Sequence, residues 1–115
     1  MPKKSKEVVL RDRLVGGFQE AGIRLTGKTF GLGDHEGWCA DYVFGNVVIE
    51  VITSHCEKRL ARIEKFKKTF GRRYTVFAFT DDHMKDVLMI GKCDALYTVS
   101  SLRMLISKAI EINKE

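Results

Sequence analysis

Two acidic residues lie at equal distances from the dipeptide Gly45-Asn46, inside otherwise apolar runs. Asp41 precedes the dipeptide by four residues, and Glu50 follows it by four. Gly-Asn between two such runs is typical of a two-residue hairpin turn of type II′. Counting outward from this turn places Asp41 directly opposite Glu50, with Cβ atoms roughly 5 Å apart. Facing carboxylates repel each other unless a cation lies between them, and Mg²⁺ is a cation that prefers carboxylate oxygens.

The strand that carries Glu50 is apolar on both of its faces. In the run 47–52, every residue except Glu50 is Val or Ile. Such a strand is typical of a sheet that helices cover on both sides. Burying an unpaired carboxylate costs several kcal/mol, so Glu50 should be ion-paired, metal-bound or protonated. The alternative that one or both acids reach solvent at a sheet edge remains open, mainly for Asp41.

A basic segment follows the hairpin. Between positions 58 and 73 there are eight basic residues and one acid, Glu64. Such a segment suits a phosphate-bearing partner, although a solvated helix face has the same composition. Helical spacing directs Arg59 and Lys67 toward the sheet. The other six are candidate nucleic-acid-binding residues: Lys58, Arg62, Lys65, Lys68, Arg72 and Arg73.

Periodicity and turn signals predict an α/β fold with a mixed sheet of about four to five strands and helices on both faces. Residues 1–5 are expected to form a basic flexible tail, and residues 6–115 a single domain. Ser54 and Glu57 match a capping box. Helices are predicted over 6–21, 54–70 and from Ser100 onward, strands over 23–25, 40–44, 47–52, 74–80 and 95–99, a loop over 26–37, and a short helix or turn over 81–89.

Length and composition restrict the class of protein. The chain has 115 residues, and 44% of them are hydrophobic. This length and this hydrophobic fraction indicate one globular domain. The net charge is +5. The chain contains neither an apolar run long enough to span a membrane nor a signal peptide, so an intracellular, cytoplasmic location without membrane contact is expected. The three cysteines, Cys39, Cys56 and Cys93, lack paired spacing and are expected to be buried, reduced thiols.

The segment around the acids resembles the core of the PD-(D/E)XK nuclease superfamily, which includes restriction endonucleases and archaeal Holliday junction resolvases. The residues that carry the resemblance run from Ala40 to Val51, in one-letter code ADYVFGNVVIEV. The resemblance implies a three-layer α/β/α, restriction-endonuclease-like fold. It also implies that Asp41, Glu50 and the main-chain carbonyl of Val51 hold Mg²⁺ or Mn²⁺, which activates water and neutralises charge on the scissile phosphate.

One position departs from the pattern of this superfamily. A lysine normally stands two residues after the Glu, where it orients the attacking water, but this chain has Ile52. Members of the superfamily can supply that cation from the following helix, which makes Arg59 and Lys67 candidate catalytic residues. His55 is a third candidate, although its neutral form is a poorer source of charge.

Other polar residues are weaker candidates for a metal or phosphate contact. Junction resolvases place a metal-assisting Glu in the first helix, and here neither available acid aligns cleanly with that position. Residues of the predicted loop lie close to the hairpin in sequence, but loop solvation explains them equally well. These weaker candidates are Glu7 and Asp12 in the first helix, and Asp34, His35 and Glu36 in the loop.

The sequence favours a Mg²⁺-dependent DNA endonuclease that acts on branched or otherwise structured DNA, as a homodimer because a small domain offers little surface for a duplex. The main alternative is a nuclease-fold DNA-binding or assembly subunit that has lost catalysis together with the lysine at position 52. A third possibility is a relationship to the tRNA-splicing endonuclease catalytic domain, which cuts RNA without metal. The acidic pair argues against that possibility.

Overall fold

The elements were assigned from a computed structural model that describes residues 5–31, 37–54, 57–83 and 92–114. The helices are α1 (Lys6–Glu20), α2 (Glu57–Phe70) and α3 (Leu102–Lys114), with a 3-10 turn over Val99–Ser101 before α3. The strands are β1 (Thr26–Phe30), β2 (Trp38–Phe44), β3 (Val47–Val51), β4 (Thr75–Thr80) and β5 (Ala95–Thr98).

The strands form one five-stranded mixed sheet in the order β1-β2-β3-β4-β5. The pairs β1–β2 and β2–β3 are antiparallel, and the pairs β3–β4 and β4–β5 are parallel. Helix α2 connects the parallel strands β3 and β4, as a βαβ crossover requires. The predicted α/β class and the mixed sheet of about four to five strands are confirmed, with five strands observed.

The hairpin forms in the predicted register. In the turn, Gly45 has a positive φ of 55° and Asn46 does not have a positive φ. A positive φ at the first central residue alone is what a type II′ turn requires. Asn113 of α3 holds the turn: its Oδ1 accepts a hydrogen bond from the backbone N–H of Asn46 (2.8 Å), and its Nδ2 donates to the carbonyl of Phe44 (2.9 Å). The paired residues are Phe44 and Val47, Val43 and Val48, and Tyr42 and Ile49.

The prediction of a loop over 26–37 is wrong for 26–30, which form β1, and the predicted strand over 23–25 is irregular. Residues 32–36 of the predicted loop lie outside the described residues. Thr26–Phe30 pairs with β2, but all of its residues except Phe30 are exposed. A polar edge strand held by backbone hydrogen bonds carries no hydrophobic signal, so its sequence resembles a loop. Ser5, placed in the flexible tail by prediction, instead caps α1 by accepting a hydrogen bond from the N–H of Val8.

Two apolar clusters form the core, and the run 47–52 contributes alternate residues to each. This confirms that both sides of the run are buried, and Glu50 with them, at 2% exposure. The α2 cluster contains Phe30, Trp38, Ala40, Val48, Ile52, Leu60, Ile63, Phe66, Val76, Ala78 and Cys93. The α1–α3 cluster contains Leu10, Leu14, Phe18, Leu25, Val47, Ile49, Val51, Phe77, Phe79, Leu105 and Ala109.

Some of the predictions concern residues that lie outside the described ranges. The helix or turn over 81–89 falls mostly outside them, as does Cys56. Ser54, the predicted first residue of the capping box and of the second helix, lies in a bend, and α2 is assigned from Glu57. Cys93 is a buried free thiol as expected, and burial raises its pKa to about 12, whereas Cys39 is free but exposed. Within the described ranges, no helix has the length and apolar character needed to cross a membrane.

Candidate functional site

A β-bulge in β2 sets the position of Asp41. Thr26 pairs with Val43 and Lys28 with Ala40, so the two residues Asp41 and Tyr42 lie opposite the single residue between Thr26 and Lys28. A bulge of this kind interrupts the alternation of side chains and redirects them.

The bulge brings the side chains of two neighbouring residues to α1. Tyr42 joins the α1–α3 cluster, and Arg11 of α1 contacts both its ring and the Asp41 carboxylate. Neighbouring residues of a regular strand would face opposite sides of the sheet. The carboxylate of Asp41 therefore reaches α1 because of the bulge.

The two acids are not a ladder pair, because each carboxylate accepts a hydrogen bond from a backbone N–H of the opposite strand. The regular β2–β3 ladder extends from the turn to Tyr42 and Ile49. Beyond it, the N–H of Asp41 donates to Oε2 of Glu50 (2.7 Å), and the N–H of Val51 donates to Oδ2 of Asp41 (2.8 Å). The predicted proximity of the acids, hereafter the acid pair, is confirmed, but the predicted backbone pairing of Asp41 with Glu50 is replaced by these crossed bonds.

Arg11 neutralises one side of the acid pair. Its Nη2 lies 2.8 Å from Oδ1 of Asp41 and 2.9 Å from Oε1 of Glu7, one turn earlier in α1. Its guanidinium carbon also lies 5.5 Å from the centre of the Tyr42 ring. Glu7, one of the two weak candidates in the first helix, is thereby linked to the acid pair.

Arg59 reaches the acid pair from α2. Its Nη1 donates a 2.6 Å hydrogen bond to the carbonyl of Val51, the main-chain oxygen that the family resemblance assigns to the metal. It also lines a cavity of about 210 Å³ together with Glu7, Thr53 and Ser54. Its predicted direction toward the sheet is confirmed, and its head group reaches the site itself.

Burial and repulsion both disfavour the charged form of Glu50. Loss of solvation, followed by the negative charge of Asp41, raises the pKa of Glu50 to about 8, although the Asp41 N–H and the charge of Arg59 oppose the shift. A carboxyl held in this way gains from any cation that can reach it, because the cation stabilises the ionised form.

This shift predicts how stability depends on pH. The folded pKa lies above the ordinary value of 4.5, so folded Glu50 keeps its proton over a range in which the unfolded chain has lost it. The free energy of unfolding should therefore fall between about pH 4.5 and pH 8, by up to about 1.4 kcal/mol per unit, and then level off. Urea unfolding in EDTA should show this decline in wild type and a shallower one in Glu50→Gln. Identical profiles would contradict the assignment.

A cationic cavity of about 280 Å³ opens beside Glu50. It is lined by three basic side chains of the first turns of α2 together with Trp38 and Cys39 of β2. The basic lining residues are Lys58, Arg59 and Arg62. Two predicted nucleic-acid-binding residues thus lie next to the acid pair.

Lys67, the other candidate catalytic cation of α2, lies away from the acid pair. Its Nζ forms a 2.7 Å ion pair with Oδ1 of Asp94, near the C-terminal end of α2. Lys68, Arg72 and Arg73 line a cavity at that same end, while Lys65 lies between the two groups on α2. The basic segment is therefore divided into two groups, of which only the first adjoins the acid pair.

Among the remaining weak candidates, Asp12 lies within the described residues. Asp12 is exposed on α1. The other weak candidates, His55, Asp34, His35 and Glu36, lie outside the described residues.

Sequence reasoning missed Arg11 as a site residue. Its position carries a signal, since it follows Leu10 in the buried stripe that continues with Leu14 and Phe18 and stands four residues after Glu7. A residue beside a buried stripe faces the sheet margin. The sequence gives no sign of the bulge in β2 that directs the Asp41 carboxylate toward this margin.

The donor atoms around the acid pair match a hard divalent cation in type. Within the described ranges, no group of three or more His, Cys, Asp and Glu side chains is arranged to hold a metal. The oxygen set consists of two carboxylates and the Val51 carbonyl, and oxygen is the ligand that Mg²⁺ takes. Arg59 would have to leave the Val51 carbonyl for all three oxygens to bind a cation.

Neither the models of known protein families, nor curated proteins, nor solved structures show a significant match to this chain. Its function therefore has to follow from the chemistry of the acid pair and of the cations around it.

Proposed function

We propose that this protein is a Mg²⁺-dependent DNA endonuclease of the PD-(D/E)XK type that acts on branched or structured DNA. The observation that carries the proposal is the acid pair, in which Glu50 is buried and Asp41 partly buried. The pair is joined by crossed hydrogen bonds at the end of the β2–β3 ladder, and Glu50 lines a cationic cavity. In this proposal α2 covers one face of the sheet, and α1 and α3 cover the other, as in the three-layer restriction-endonuclease-like fold.

Asp41, Glu50 and the Val51 carbonyl would hold the metal. Bound there, Mg²⁺ or Mn²⁺ would supply an activated water and charge neutralisation at the scissile phosphate. The proposal is supported by the all-oxygen donor set and by the gain that a cation offers to two adjoining carboxylates, one buried and one partly buried. The N–H groups of Asp41 and Val51 would keep the carboxylates oriented.

Arg59 is the residue that we assign the role of the missing lysine. It comes from α2, its guanidinium lies at the Val51 carbonyl, and it lines the same cavity as Glu50. A guanidinium is always charged and can stabilise negative charge on phosphate oxygens. Lys67 is a poorer candidate because Asp94 already binds its ammonium group.

Arg59→Ala is expected to lower kcat for cleavage by about 100-fold, since one electrostatic partner of the transition state is lost. Arg59→Lys should recover part of this loss because it restores the charge without the planar fork. Steady-state cleavage of a labelled duplex at saturating Mg²⁺ measures both effects. The matched control is Arg13→Ala, an exposed arginine of α1. Equal rates in Arg59→Ala and wild type would remove Arg59 from the site.

A second function is favoured by the two guanidinium groups. Arg11 pairs with Asp41, and Arg59 with the Val51 carbonyl beside Glu50, so the protein's own cations can neutralise the acids. Together with the apolar residue at position 52, this pattern suits a nuclease-fold DNA-binding or assembly subunit that does not cleave. Such a protein would bind DNA in a salt-sensitive manner through its basic residues.

Cleavage assays on supercoiled, linear and four-way-junction DNA test the proposal. We expect cutting with Mg²⁺ or Mn²⁺ and none in EDTA, together with heat released on Mn²⁺ titration in the absence of DNA. Salt-sensitive DNA binding without Mn²⁺ binding or cleavage would establish the second function instead. Sedimentation on a duplex would test whether a symmetric homodimer presents two acid pairs to the two strands.

A further inference from the structure

A second cationic cavity lies at the other end of α2, where the helix ends and the chain turns into β4. Its volume is about 710 Å³. We call it the α2 C-terminal cavity. Its charged lining residues are Lys67, Lys68, Arg72, Arg73 and Asp94.

The single acid of this cavity is already compensated. Oδ1 of Asp94 is paired with Lys67 (2.7 Å), and its Oδ2 accepts a hydrogen bond from the N–H of Val76 (2.7 Å). The side chain of Lys68 is 78% exposed, and its ion pair with Glu64 is long, at 4.0 Å. Arg72 and Arg73 are exposed. Three cations therefore remain directed to solvent around one cavity, an arrangement that suits an anion.

The two cationic cavities lie along one helix. Lys58, Arg62, Lys65 and Lys68 follow one another at intervals of four, three and three residues, which places them along one side of α2. From Arg59 to the end of α2 at Phe70 the helix rises about 16 Å, at about 1.5 Å per residue. This corresponds to about five phosphates of one DNA strand at about 3.4 Å each along the duplex axis.

We infer that the α2 C-terminal cavity is a second phosphate-binding subsite, which holds the backbone of a nucleic acid several nucleotides away from the acid pair. The inference rests on the proposed function in that the ligand is the same nucleic acid. The subsite acts in binding and not in the chemical step, because its cations lie at the far end of α2 from Glu50.

Removing two of its cations is the first test. Arg72→Gln with Arg73→Gln should weaken binding of a fluorescent duplex of about 24 base pairs by about tenfold and reduce the slope of log K against log salt by up to about two. The matched control is Arg13→Gln with Arg103→Gln, which removes two exposed arginines from α1 and α3. In cleavage, KM should rise while kcat stays unchanged. Equal affinities in wild type and the Arg72/Arg73 variant would overturn the inference.

The second test is a gain of affinity. Asp94→Asn removes the negative charge of the cavity but keeps an oxygen for the Val76 N–H, so duplex binding should tighten by about threefold at low salt. Basic residues at a helix C-terminus also stabilise the helix dipole. A purely structural role would lower the melting temperature of the variants without this gain, and unchanged or weaker binding by folded Asp94→Asn would count against the subsite.

The binding assays are performed in EDTA, so that they do not depend on cleavage. If wild type binds the duplex and the Arg72/Arg73 variant binds it weakly, the subsite stands even when no cutting is seen with metal. If Lys58→Gln with Arg62→Gln weakens binding and the Arg72/Arg73 variant does not, the subsite is wrong while the proposed function survives. Failure of wild type to bind any duplex would refute both.

Discussion

Glu50→Gln and Asp41→Asn are each expected to abolish metal-dependent DNA cleavage, with a loss of about 1,000-fold or more. Each change replaces a carboxylate by an amide of nearly the same size, which is a far weaker ligand for a hard cation. Loss of metal catalysis removes several kcal/mol of transition-state stabilisation. Cleavage of a labelled four-way junction, measured under single-turnover conditions with Mg²⁺ and Mn²⁺, gives the rates.

Both variants should stay folded and keep DNA binding within about threefold of wild type, since the basic residues of α2 are untouched. The amide oxygen of Gln at position 50 can still accept the Asp41 N–H, and that of Asn at position 41 can still accept the Val51 N–H. Glu20→Gln, an exposed position at the end of α1, serves as the control and should cleave normally. Metal-dependent cutting that persists in both acid variants would refute the assignment of the site.

Ile52→Lys is expected to destabilise the protein by about 3–5 kcal/mol and not to create or increase activity. Ile52 is fully buried in the α2 cluster, together with Ile63, Phe66 and Val48. A lysine at this position would place an ammonium group among apolar side chains, where the loss of hydration makes the substitution among the most costly single changes. Urea unfolding at pH 7 measures the loss.

Ile52→Met is the matched control for this position. It keeps the apolar character and nearly the same volume, so it should cost less than about 1.5 kcal/mol. A stable Ile52→Lys variant with new metal-dependent cleavage would contradict this prediction, because it would mean that a side chain at position 52 can reach the acid pair. In that case the wild-type protein lacks its catalytic cation, and the non-cleaving function would be correct.

The central hairpin could be predicted from the sequence because it depends on local rules. The dipeptide Gly45-Asn46 determines the turn, and the period of two along 47–52 determines which residues are buried. The register of β2 on β3 and the burial of Glu50 follow from these two facts. The basic character of α2 and the direction of Arg59 toward the sheet also follow, since helical spacing alone places them.

Other features of the site depend on parts of the chain that are distant in sequence. The bulge at Asp41 is visible only in the pairing of β2 with β1, a polar edge strand that the sequence could not distinguish from a loop. Its consequence, the contact between Asp41 and Arg11, joins residues 30 positions apart. Lys67 binds Asp94, 27 positions away in sequence, and not the acid pair.

Local sequence signals are sufficient to predict that two acids come together in a largely apolar hairpin followed by a basic helix. Which cations contact them, namely Arg11 from α1 and Arg59 from α2, follows from the packing of the helices on the sheet, as does the division of the basic segment between two cavities. The physical reason is that turn chemistry and side-chain period act over a few residues. The pairing of buried charges, in contrast, depends on which helix ends and strand edges the packed core brings within about 3 Å.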